Sequence, residues 1–321
     1  MTPTLTPTPA PTATPTPEPT ATPRPIVQNP LVTVALPVPN PNNGLLGSPL
    51  DAALAVQPNS YAISPSLALT LTPASLLLSA PMLAVYPLTA TAATSDAVAP
   101  LVESLGGLLD QGGATLNADG SIGVNIHIGV VPYTLTLSNG YAGPWFDLQR
   151  ATTEHLTQSG QLFAARLSMQ AQSWLQAHGL WRPALHLDSV DGGDAVYSQI
   201  LGGFSLLGKD AVRLSFDARG LLRQLSWRYV ATGGAVLKAA QTPNIAISQQ
   251  LADGEALYVG PPTADVTGQA VLDSLTLSYV GVHGATGDYL EPLYVVGGTA
   301  PTAGGASPIN LYASALDYTN Q

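Results

Sequence analysis

Cysteine is absent from this 321-residue chain, and charge is almost as scarce. Without a thiol there are no disulfides, no thiolate metal ligands and no cysteine nucleophile. Charged residues make up 9% of the sequence, where a typical soluble domain carries about 25%. Polarity at the surface therefore has to come from Ser, Thr, Asn, Gln and Gly. Such a surface is cheap to cover, because few ions lose their water when a partner docks. The ten basic residues are outnumbered by twenty acidic ones, for a net charge of −10. All the basic residues but Arg24 lie from Arg150 to Lys238, and no basic stripe follows a helical period. Nucleic acid is excluded as a partner on that ground.

Local signatures of chemistry are equally sparse. No HExxH or HxH spacing joins His127, His155, His178, His186 and His283, and no GxSxG is present. Glu18, Glu103, Glu154, Glu255 and Glu291 form no helical carboxylate pair. His186 and Asp188 share one face of an extended run and would need a distant serine to make a triad. His127 reads as a satisfied or solvent-facing histidine in a strand. Gly202-Gly203, Gly297-Gly298 and Gly304-Gly305 precede no Lys-Ser or Lys-Thr and read as turns and loops, so no nucleotide cradle is expected. The expectation is a protein that is not an enzyme and holds no cofactor.

What the chain does contain is organised in four parts. Residues 1–25 are a Thr/Pro-rich stalk, 26–66 an extended Pro-punctuated segment, 67–150 a first α+β unit, and 151–321 a second unit with C-terminal strands. Proline fixes φ and lacks the amide donor, so the stalk is expected to be an extended spacer of roughly 70 Å. Its composition suits O-linked sugar. Met1 leads directly into Thr-Pro repeats without a signal-peptide pattern. The stalk makes a mature, extracytoplasmic chain, secreted or attached to a cell surface, the expectation over a cytoplasmic one. Within 26–66, Ile26, Val27, Leu31, Val32, Val34 and Leu36 are candidate assembly positions, able to lie along a sheet edge of the same molecule or a neighbour. The uncharged stretch Leu67–Leu88 is broken by Pro73, Pro81 and Pro87. It reads as strands rather than as a membrane span, since Leu67, Leu69 and Leu71 alternate.

Helices are expected over 95–109, with Pro100 an awkward guest and Ser95 a possible N-cap, and over about 153–178, ended by Gly179. Strands are expected at 122–130, 133–138, 212–216, 221–231, 272–282, 289–296 and 309–316. The turn Asp217-Ala218-Arg219-Gly220 predicts a hairpin. A helix followed by antiparallel strands thus occurs twice. The fold expectation is α+β: tandem units, each an antiparallel sheet with one helix packed on a face, after an extended Thr/Pro tail.

Three stretches carry a resemblance: PMLAVYPL with a helix ending LGGLL and a turn at Asp119-Gly120; WLQAHGL with LGGFSLLGKDAVRLSFDARGLLRQLSWRY; and LTLSYVGV, DYLEPLYVVGG and INLYASALD towards the C-terminus. Over roughly 75–317 the chain resembles the extracytoplasmic regulators YycH and YycI and PepSY-type domains. The resemblance implies secreted, non-enzymatic domains that bind other proteins or restrain a partner.

Two clusters stand out for binding. Asp188, Asp191 and Asp194, with Gly192-Gly193 between them, offer oxygens to a hard cation such as calcium, the alternative being an acidic surface turn. Arg213, Arg223, Trp227, Arg228 and Tyr229 place arginines beside aromatics on the second hairpin, a mix found at binding surfaces as well as on ordinary solvated sheet faces. The expected partner is another protein or a copy of the chain itself. Two functions follow: a binding and regulatory module on a stalk, or a self-assembling surface subunit that exchanges strands.

Overall fold

Alternation of apolar and polar residues builds most of this molecule. The computed structural model describes residues 69–71, 82–151, 164–207, 210–217, 219–243, 245–247, 250, 257–261, 265–284 and 287–317. The candidate assembly positions from Ile26 to Leu36 lie outside them, as does the N-terminal part of the second expected helix.

The chain opens with β1 (Leu69–Leu71), β2 (Met82–Leu88) and β3 (Ala90–Thr91), then α1 (Ser95–Ser104). In α1, Val98 and Val102 face the core one turn apart, while Pro100 sits exposed on the opposite side and is tolerated there. The N-cap is Thr94 rather than Ser95, without a side-chain cap bond. The helix stops at Leu105, because Gly106 turns left-handed at φ +65°. The next residues, Gly107–Leu109, leave as strand β4 instead of completing the helix expected to 109.

β5 (Thr115–Leu116), β6 (Ile122–Ile128), β7 (Val131–Ser138), β8 (Gly140–Tyr141) and β9 (Trp145–Arg150) follow. In β7 the buried residues are Tyr133, Leu135 and Leu137, and the intervening threonines face outward, as period two requires. Helix α2 (Ala164–Ala177) buries Leu167, Ala171 and Leu175 at steps of four. It ends at Gly179, φ +65°, with Leu180 N donating back to Leu175 O at 2.8 Å.

Next come β10 (Leu185–Asp191), β11 (Asp194–Leu201), β12 (Phe204–Leu206), β13 (Val212–Phe216) and β14 (Leu222–Trp227). The β13–β14 hairpin forms at the expected turn. Asp217 Oδ1 accepts from Arg219 N and Leu221 N, both at 2.9 Å, and Gly220 takes φ +81°. β14 ends at Trp227, so residues 228–231 expected as strand are not.

The chain closes with β15 (Val236–Ala239), β16 (Leu257–Val259) and three long strands, β17 (Ala270–Gly284), β18 (Gly287–Thr302) and β19 (Gly305–Ser314). Gly297-Gly298 is not a turn. It lies inside β18, opposite the register shift between Leu272 and Ser274 of β17. A Cβ on Gly298 would stand 2.8 Å from Leu272 Cα, so the bulge requires glycine at that point.

These strands correct the fold expectation. The protein is mostly β, and seventeen strands are joined by hydrogen bonds into one mixed sheet instead of tandem small sheets carrying one helix each. The join is the pairing of β9 with β14, Leu148 opposite Leu225. It merges β6, β7 and β9 with β14, β13, β11 and β10 into a single antiparallel run, whose core is shared by α1 and α2. Two residues of backbone pairing then carry β11 across to β12, which runs parallel to β17. β1 also pairs parallel to β17, and β2 bridges β15 and β18. Where the two regions meet, Leu88, Trp145, Leu201, Val230, Tyr279 and Leu290 pack together. Among the described residues no helix is long and apolar enough to cross a membrane.

Candidate functional site

Both helices end beside each other, and a cleft opens there. The last turn of α1 contributes Leu101 and Ser104, the end of α2 contributes Ala177, His178 and Gly179, and Arg182 follows. The loop Ala142–Pro144 forms one wall, and Phe146, Trp227 and Tyr229 form the floor. The volume is about 540 Å³, inside the 300–1,000 Å³ range usual for ligand sites.

The floor is an aromatic tier. Phe146 and Trp227 stack at 6.0 Å, and Tyr229 tilts against Trp227 at 5.6 Å. Period two explains why Trp227 belongs here, since it shares a side of β14 with Leu225, the core side. It is only 7% exposed.

The wall is held in an uncommon backbone shape. Ala142 adopts φ +53°, a conformation that costs a non-glycine residue about 1–2 kcal/mol. Its amide donates to Thr89 O at 2.8 Å, and Gly143 N donates to Thr91 Oγ1 at 3.1 Å. Gly140 is needed for the same turn, because a Cβ there would sit 2.8 Å from Trp145 N.

Several carbonyls at the helix ends accept hydrogen bonds. Leu101 O accepts from Leu105 N and Ser104 Oγ, Leu175 O from Leu180 N and Trp181 N, and Gly179 O from Arg182 Nη1 at 2.7 Å. His178 bonds the Leu105 carbonyl, tying α2 to the end of α1, and its ring lies 4.0 Å from that of Trp174. Burial pushes the His178 imidazole below its ordinary value, and the Leu105 bond only partly offsets this. Burial raises the Tyr229 phenol, with the nearby Arg182 charge pulling the other way.

The sequence had placed Trp227 and Tyr229 in a surface patch with Arg213, Arg223 and Arg228. The structure separates that group. Trp227 and Tyr229 line the cleft. Arg228 binds Phe146 O at 3.0 Å, Trp227 O at 2.9 Å and Asp147 at 2.5 Å, bracing β14 against β9. Arg213 lies half-exposed on β13, held by Asp210 at 2.7 Å and facing Asp194 at 3.7 Å. Arg223 is exposed on β14. Arg182, His178 and Ser104 were missed. The run His178-Gly179-Leu180-Trp181-Arg182 was their available signal, a helix stop followed at once by an aromatic and a cation.

The three aspartates sit at the β10–β11 hairpin. Asp191 and Asp194 face each other across the Gly192-Gly193 turn, while Asp188 lies at a bulge and accepts from Ser198 Oγ at 2.9 Å. With Asp194 turned towards Arg213, they do not converge. Among the described residues, no three His, Asp or Glu gather as a metal donor set. His127 is bonded to Asp110 at 2.5 Å.

No family model matches the chain, and no curated protein matches it. Among solved structures it is similar to the Bacillus megaterium YpeB C-terminal domain, at 8% identity and a TM-score of 0.34, over 68% of this chain and 98% of that one. A likeness this distant carries no argument about function, and no family is assigned.

Proposed function

We propose that this chain is a non-catalytic, extracytoplasmic binding and regulatory module displayed on its Thr/Pro segment. The observation that supports this most is the cleft at the helix ends. It is lined by Tyr229, His178 and Arg182 over the buried Phe146 and Trp227, and rigid elements are what hold a binding geometry in place. Display outside the cytoplasm rests on the Thr/Pro-rich residues 2–25 and on a surface so poor in charge. The regulatory role rests on the YycH/YycI-like resemblance of the sequence.

The second reading is a self-assembling surface subunit. Leu108 and Leu116, each 73% exposed, lie on the edge strands β4 and β5. An edge bearing exposed leucines invites strand pairing between copies, and residues 26–38 of another chain are apolar enough to supply the strand.

Light scattering of the full chain across concentration separates the readings when run beside a Leu108→Lys/Leu116→Lys variant. A monomer at all concentrations, together with a surface partner captured by the chain and lost when Ala231→Trp fills the cleft that Ala231 helps to line, is expected of the module. Ordered polymers abolished by the two lysines would replace that reading with the subunit.

A further inference from the structure

One titratable side chain ties the two helices together at the cleft. His178 lines it from the end of α2, bonds the Leu105 carbonyl at the end of α1, and holds its ring 4.0 Å from that of Trp174. No carboxylate lines the cleft, although acidic residues outnumber basic ones twenty to ten in the chain. The titratable groups that share the lining with His178 are Arg182, from the segment after α2, and Tyr229, beyond the end of β14. Asp96 and Glu103 on α1, Arg166 on α2, Asp188 on β10 and the Asp147–Arg228 pair all lie outside it. A charge on the imidazole would be half-buried, would share its cleft with a guanidinium, and would meet no anion there.

Two influences compete over that charge. Burial disfavours the imidazolium, whereas the Leu105 carbonyl and the two helix C-termini favour it. Burial outweighs the carbonyl and holds the group below its ordinary 6.5. Seated between the helices, the imidazole is less basic than when it is swung into water, so acid favours release. The seated arrangement keeps its full stability above 6.5 and loses it as pH falls below that value. Resting on the reading of the cleft as the binding site, we propose that His178 is a pH-sensitive latch: neutral, it holds the ends of α1 and α2 together, and protonated, it leaves Leu105 and lets the cleft open.

The ring pair supplies a reporter, because an imidazolium against an indole quenches the indole's emission. Tryptophan emission and hydrogen exchange of the full chain, followed from about pH 8 to about pH 5, test the latch. The comparison is His178→Gln, whose amide can still donate to Leu105 O but does not titrate. The unaltered chain is expected to change emission with a midpoint below 6.5. Protection of the Leu105, His178 and Leu180 amides, corrected for intrinsic exchange rates, falls with it. The fall is about tenfold for each pH unit that separates the seated and released values. In His178→Gln both changes vanish; in Trp174→Phe most of the emission change vanishes and the exchange change stays. A midpoint above 6.5 would mean that the helix ends hold the imidazolium, and would overturn the latch. Protection indifferent to pH, or a transition that survives in His178→Gln, would overturn it too. If that variant does not fold, the unaltered chain and Trp174→Phe decide by the same criteria. A latch that titrates as expected in a chain that captures no partner would sink the binding module and leave the latch. A partner held through the cleft without this titration would do the reverse.

Discussion

The helix-covered region and the long-strand region solve burial differently. In the first, α1 and α2 press large side chains onto one continuous core that includes Leu135, Leu148, Tyr197, Phe216 and Trp227. In the second, β17, β18 and β19 bury small separate clusters, one of them mixing Ala270, Ala300 and Ala313 with Ile247, Leu272, Val296, Ile309 and Leu311. One device is common to both. Gln199 donates to Val230 O at 2.6 Å and accepts from Val230 N at 2.9 Å; Gln250 donates to Ser314 O at 2.9 Å and accepts from Ser314 N at 2.7 Å. In each region a buried amide side chain imitates a missing strand where the ladder ends. Sheets covered by helices can concentrate their apolar area, whereas long paired strands distribute it and lean more on satisfied backbone.

The sharpest way to break this comparison is to cut each core. Leu148→Ala is expected to lower unfolding free energy by about 4 kcal/mol and Leu311→Ala by about 2–3 kcal/mol, read from denaturant midpoints. Equal losses would mean that the smaller cluster is as cohesive as the large core. Next in size, Gln199→Leu and Gln250→Leu each orphan one buried N–H and one buried C=O, costing about 3 kcal/mol. A loss confined to one of them would show that only one region depends on the device.

The smallest effect concerns acid. Burial alone would raise the Asp217 carboxyl, but the Leu221 amide, Arg150 at 2.9 Å and the Arg219 amide outweigh it and hold the group below its ordinary 3.8. A lowered folded value means stability is fully present above that ordinary value and is lost as pH falls through the folded one. Asp217→Asn is expected to cost about 2 kcal/mol at pH 7 and progressively less below pH 4. A cost independent of pH would place the effect in the turn and not in the ion pair.

Much of the local structure was legible in the sequence. Alternation in β7, the four-residue steps of α2 and the Asp217–Gly220 turn all leave short-range patterns, whereas β11 was not expected. The pairing of β9 with β14 leaves none, because it joins residues nearly eighty positions apart through backbone alone. That is why separate α+β units were expected where one mixed sheet exists. The cleft was hidden for the same reason. Trp227 and Tyr229 were visible as aromatics beside arginines, but their neighbours Ser104, Ala142 and Arg182 come from three other segments. Which arginine meets the aromatic tier is decided by register, and Arg228 was drawn off to Asp147.

The pairing of β2 with β18 has a consequence in time. Tyr86, Pro87 and Leu88 lie opposite Leu290, Tyr289 and Asp288, some two hundred residues downstream. At synthesis rates of about 5–20 residues per second, β2 waits roughly 10–40 s for that partner. For that interval the strand Met-Leu-Ala-Val-Tyr-Pro-Leu lacks its β18 neighbour, although β15 is made earlier, and Pro87, which cannot donate to a ladder, limits how far a wrong strand can pair along it.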